Sequence, residues 1–145
     1  TNFLKKDKMN SISFMACGHP NVLATHRNTI EFTKEDFLTK EGDCIVGIKA
    51  DFSSDILREF VMECESDFAE VEIKCGDFTE IVRGKINRWF NDNKAIVIRK
   101  SNFASERTLI VEADKAAVDL SRELVERMKS DEESMMVVVR EILLN

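Results

Sequence analysis

The stretch AEVEIKC, residues 69–75, alternates Ala69, Val71, Ile73 and Cys75 with Glu70, Glu72 and Lys74, and no other pattern in the chain restricts its fold as strongly. Successive side chains of a strand point to opposite faces, so this period of two predicts a strand with one apolar and one wet face. Gly76-Asp77 follows, and FTEIVRGKI resumes as a second β-rich run. Two turn residues between two such runs predict an antiparallel hairpin over 69–86. Gly84 marks a bulge or a close backbone approach within it. A half-wet hairpin is not stable alone, so the rest of the chain must extend the sheet or cover its apolar face.

The remaining segments offer both. SISFMAC (11–17), RNTIEFT (27–33), CIVGIKA (44–50), AIVIRKS (95–101) and RTLIVEA (107–113) read as further strands. MMVVVREILL, from Met135, is β-branched at its centre and reads as a last strand, with continuation of a helix as the alternative. SSDILREFVMEC places Ile56, Leu57, Phe60, Val61 and Cys64 on one helical stripe, with Ser53 or Ser54 as cap. DKAAVDLSRELVERMK does the same with Ala117, Leu120, Leu124 and Met128, and Asp114 is its expected N-cap. The expected architecture is α+β: a mostly antiparallel sheet, curled into a partial barrel, with two amphipathic helices packed on it. Residues 1–10 read as an N-terminal extension and residues 11–145 as a single α+β domain, because no linker or repeat divides them.

The net charge of −6 disfavours indiscriminate binding to nucleic acid or anionic membranes, both of which depend on neutralising phosphate. No apolar run approaches the roughly 18–20 residues that span a bilayer, and the opening TNFLKKDKMN has no apolar core of a signal peptide, so the expected location is the cytoplasm. Cys17, Cys44, Cys64 and Cys75 lack the close paired spacing of zinc or redox sites and read as free thiols that pack like small hydrophobes.

Candidate chemistry gathers at two places. GHPNVLATHR, residues 18–27, holds the only two histidines, His19 and His26, around a Gly, a Pro and an Asn. In one straight strand they would lie about 23 Å apart, but a turn brings His19 back, and Glu31, Asp43 and Cys44 are near in sequence. A divalent metal on His19, His26 and Asp43 is one reading, and hydrogen-bonded turn histidines are the other. Beyond His26, Arg27, Thr29, Glu31 and Thr33 share one strand face, which is either a solvated sheet face or a substrate platform. The second place is the basic stretch Arg83, Lys85, Arg88, Lys94, Arg99, Lys100 and Arg107, with Trp89 and Phe90. Cations with aromatics suit an anion or single-stranded nucleic acid; the alternative is a charged hairpin surface with Trp89 half buried. No nucleophile, phosphate-loop or dinucleotide motif accompanies them.

The blocks GHPNVLATHRNTIEFT, LTKEGDCIVGIKAD, RKSNFASERTL and ADKAA, in this order, resemble a family of small uncharacterised archaeal proteins, domain of unknown function 371. The similarity runs from about Ser11 onward. It implies an archaeal, cytoplasmic origin and supplies no reaction. The resembling blocks are polar, which fits a shared ligand site among His19, His26, Glu31, Asp43, Arg99, Lys100 and Arg107.

The expected function is therefore binding of a small anionic molecule, a nucleotide or phosphorylated metabolite, in a His/Arg/carboxylate pocket. Arg27, Arg99, Lys100 and Arg107 would supply charge, and His26 with Glu31 would form the acid/base pair of a catalytic version. The alternatives are a non-catalytic module for RNA or a protein partner using the 83–107 surface, and a structural subunit or homo-oligomer pairing through the C-terminal strand.

Overall fold

A computed structural model describes residues 11–143, so the extension expected over residues 1–10 lies outside the described residues. The hairpin forms as its pattern predicts. Strands β4 (Phe68–Cys75) and β5 (Phe78–Ile86) pair antiparallel with Cys75 opposite Phe78. Gly76 takes the first central turn position at φ 61°, which an L side chain would resist. Ala69, Val71, Ile73 and Cys75 are buried while Glu70, Glu72 and Lys74 face outward. A Cβ on Gly84 would stand 2.5 Å from the Ile110 side chain and 2.8 Å from the Val111 carbonyl, so the glycine marks a close approach of β7.

The other strands are β1 (Ser11–Cys17), β2 (Thr29–Thr33), β3 (Ile45–Gly47), β6 (Ala95–Arg99), β7 (Thr108–Val111) and β8 (Ser134–Glu141). They form one eight-stranded sheet in the order β1-β8-β4-β5-β7-β6-β2-β3. Only β2–β3 and β6–β7 are parallel. The fold is α+β with a mostly antiparallel sheet, and the segment from Met135 is a strand. It is not an edge strand, however: β8 lies between β1 and β4, with both ladders complete over its length, so it has no free edge for another subunit. Its β-branched run, Val137 to Val139, suits a strand paired on both sides.

The sheet does not close, yet its two ends meet. Cys17 and Ile48 exchange backbone hydrogen bonds of 2.7 and 2.9 Å, and the Asp51 N–H donates to the Met15 carbonyl at 3.0 Å. The edge of β1 is thus capped by the chain leaving β3, which gives the curl of a partial barrel. Phe14 packs edge-on against Phe32 and Phe52 inside it.

Helix α1 (Ser54–Glu63) starts at Ser53, whose hydroxyl accepts from the Ile56 N–H, and buries Leu57, Phe60 and Val61. The second expected helix is interrupted. Residues Ala117–Asp119 make a 3-10 turn, Leu120 is extended, and α2 spans only Arg122–Met128. Asp114 does not cap it; its carboxylate accepts from the Arg83 N–H instead. Two polar side chains produce the break by taking local amides. Asp119 accepts from the Ala116 N–H at 2.9 Å, and Ser121 accepts from the Leu124 N–H at 3.3 Å. Helix α2 packs against the neighbouring β4 and β5 and also against β3 at the far end of the sheet order, which a curled sheet permits.

Candidate functional site

Strand β2 carries an unusual load for a buried strand. Thr29, Glu31 and Thr33 share a face and are at most 9% exposed, so it is not an open solvated sheet face. Arg27 is not on it, because β2 begins at Thr29 and Arg27 is exposed. Each polar group of that face has a partner. Arg99, opposite Thr29 on β6, donates to the Thr108 hydroxyl at 3.2 Å and to the Thr29 hydroxyl at 3.5 Å. Thr33 accepts from the Glu35 N–H. Glu31 receives Arg107 Nη2 at 2.7 Å on one carboxylate oxygen and the Cys44 thiol at 3.7 Å on the other.

Glu31 and Arg107 form part of the wall of a cavity of about 320 Å³. Phe37, Leu38 and Ile45 supply its apolar side; Lys94 adds a second cation, and Glu35 and Asp92 add carboxylates. Asp92 is committed to the amides of Lys94 and Ala95, which form its turn. The loop from Lys34 to Cys44 that bounds the cavity is held by the Asn21 amide on the Leu38 carbonyl and by the Lys49 N–H on the Glu35 carbonyl.

The electrostatics follow from burial. Desolvation raises the pKa of the Glu31 carboxyl against the opposing pull of Arg107 and Arg99. Burial, then the charges of Glu31 and Asp43, push the Cys44 thiol up to about 11. Cys44 is therefore a thiol donor to Glu31 near neutral pH and is not activated as a nucleophile.

The histidines serve their own turns. Nδ1 of His26 accepts from the amides of Asn28 and Thr29 at 3.1 and 3.0 Å, and Nδ1 of His19 accepts from the Asn21 amide at 3.0 Å. Asp43 meets His26 through its backbone carbonyl. The trio His19, His26 and Asp43 does not assemble, because each Nδ1 lone pair is taken by local amides; among the described residues no three His, Cys, Asp or Glu side chains are placed to hold a metal. Nor do His26 and Glu31 pair: the imidazole bonds the start of β2, while the carboxylate bonds Arg107 and Cys44.

Of the four cations expected to bind ligand, Arg107 alone lines this cavity. Lys100 reaches Asp119 at 2.7 Å and ties down the 3-10 turn, holding the Asp119 carboxyl below its ordinary range. The basic stretch is further neutralised by pairs of Arg83 with Glu70 and Arg88 with Asp67. Arg88 also donates to the Val61 and Cys64 carbonyls at the end of α1 and to the Ser66 carbonyl beyond it. Trp89 is 82% exposed rather than half buried, because its neighbours Arg88 and Phe90 point to the body of the fold. Phe37 and Leu38 went unnoticed in the sequence; their signal was two large apolar residues inside the charged run TKEDFLTKEGD.

The comparisons with known proteins agree with the resemblance drawn from the polar blocks. The family described as Domain of unknown function (DUF371) matches residues 14–141. The chain belongs to the DUF371 family. An uncharacterised protein of Methanocaldococcus jannaschii is 39% identical over 128 residues, which cover 86% of this chain and 95% of that protein. The DUF371 match runs from within β1 to the end of β8, so it takes in every residue of the cavity. Among the described residues no helix is long and apolar enough to cross a membrane.

Proposed function

We propose that this DUF371 domain binds a small organic anion in the cavity beside β2. Arg107 and Lys94 receive the anionic group, and Phe37, Leu38 and Ile45 contact an apolar part. The carrying observation is Arg107 itself: it spends one guanidinium nitrogen on Glu31, while its side chain stays 49% exposed at the cavity wall. A planar fork with unspent donors suits carboxylate or phosphate. The volume lies at the small end of ligand sites, which run from about 300 to 1,000 Å³, and favours a carboxylated or phosphorylated metabolite over a whole nucleotide. Cytoplasmic location accords with this reading.

A thermal-shift panel of carboxylates and phosphate esters, followed by calorimetry on those that stabilise the protein, tests it. Arg107→Ala is expected to weaken binding by roughly ten- to a hundredfold, the worth of a hydrogen bond to a charged group. Unchanged affinity in that variant contradicts the assignment.

A second reading, an interaction module, rests on the exposure of Trp89. Oligonucleotide binding that weakens steeply with salt and is lost in Trp89→Ala would favour it.

A further inference from the structure

We propose that Glu31 is a built-in competitor for the anion site: an incoming anion displaces it from Arg107, and the released carboxylate takes up one proton from solvent. This rests on the reading of the cavity as an anion site and adds to it a proton coupling.

The argument begins with the asymmetry of the pair. Arg107 and Glu31 meet at one point, Nη2 to Oε2 at 2.7 Å, with side chains 49% and 12% exposed. Arg107 sits before β7 and has room to turn toward a ligand. Glu31 does not follow, because it lies within β2, its amide bonded to the Cys44 carbonyl and its position paired with Val97. A ligand anion that takes the whole fork of Arg107, Nη2 included, therefore leaves Glu31 behind in a poorly hydrated place. An isolated buried carboxylate is costly, and the group neutralises instead.

The surroundings decide whether anything else compensates. From β6, Arg99 faces Glu31, but its guanidinium is tied to Thr29 and Thr108. From the β3 side come the Cys44 thiol and, beyond it, Asp43. Across the cavity stand Glu35, Asp92 and Lys94. Lys94, exposed at the rim, is the remaining cation, and the ligand claims it too. The thiol donates in both states and releases no proton. The ligand's own negative charge further disfavours an ionised Glu31. Once protonated, Glu31 changes from a rival acceptor into a donor toward the bound anion. The balance is one anion and one proton in; no covalent bond other than the carboxyl O–H is made.

The test uses phenyl sulfate, which stays fully ionised, so the ligand's own titration cannot imitate the effect. Calorimetry from about pH 5 to about pH 8, in two buffers of different ionisation enthalpy, counts protons directly. The expected result is net proton uptake, with affinity falling by up to about tenfold per pH unit toward the upper end of the range. Glu31→Gln is expected to bind roughly tenfold tighter than the native protein at high pH, with no proton uptake and little dependence on pH. Binding that needs Arg107 yet moves no proton in the native protein overturns the competitor role and leaves the anion site standing; this proton count does not depend on the variant folding. Binding of phenyl sulfate that survives Arg107→Ala, or no binding at all, overturns both.

Discussion

At the scale of single residues, the cavity is defined by how burial and charge act on Glu31 and Cys44. The thiol pKa of about 11 lies far above an ordinary cysteine. At about pH 8 only roughly one Cys44 in a thousand is the thiolate that attacks an alkylating agent, against roughly one in four for an unfolded cysteine. Iodoacetamide labelling of Cys44, followed by mass spectrometry of its peptide, is thus expected to run roughly a hundredfold slower in the native than in the unfolded chain. Glu31→Gln should speed it, since the Glu31 charge is one of the causes of the shift. Equal labelling rates in native and unfolded protein would contradict this picture. Part of the site could be read at this scale from the sequence alone: Glu31 stands on the polar face of the 27–33 strand, and Arg107 belongs to the basic stretch that begins at Arg83. What was illegible was the pairing. Glu31 and Arg107 are 76 positions apart, and only the β2–β6–β7 arrangement unites them. Histidine spacing was likewise a poor guide, because an imidazole bonded to amides two and three residues ahead looks in sequence like an imidazole awaiting a metal.

At the scale of elements, local periodicity was reliable where one face is wet and the other packed. β4, β5 and α1 show it, and they lie close to where the pattern places them. It failed at residues 114–129, where a helical stripe of Ala117, Leu120, Leu124 and Met128 hides a break. The stripe records burial, which both the 3-10 turn and α2 satisfy, whereas the interruption comes from capping by Asp119 and Ser121. Arg122 secures it by donating to the Ala24, Ala117, Val118 and Leu120 carbonyls. If Ser121 starts α2, Ser121→Ala should cost about 1 kcal/mol and lower the melting temperature by a few degrees. Were the two segments one continuous helix in solution, the same substitution would be neutral or slightly stabilising, since alanine is the better helix interior residue. Thermal denaturation followed by circular dichroism separates these outcomes.

For the whole molecule, the order of strands was the part least open to sequence reasoning. Pairing of β1 with β8 joins Ser11 to Arg140, and no local pattern announces a contact of that length. The consequence is that the chain's C-terminal strand is structural: β8 supplies one ladder to β1 and another to β4. Deleting residues 134–145 removes both ladders and uncovers two strand edges, so the shortened chain is expected to lose cooperative unfolding and to aggregate. A truncated protein that melts sharply and stays monomeric would contradict that role. The polar face of β2 is bordered by the 34–44 loop that links β2 to β3, and the cavity lies between that loop, β2 and the start of β6.

The most direct test of the central claim is an amide NMR titration of the intact protein with phenyl sulfate. The account predicts that the largest shift changes cluster on Glu31, Thr33, Leu38, Gly42, Ile45, Lys94 and Arg107, the backbone that surrounds the cavity. Changes centred on Trp89 or on the Lys100–Asp119 pair, or none under saturating anion, would contradict it.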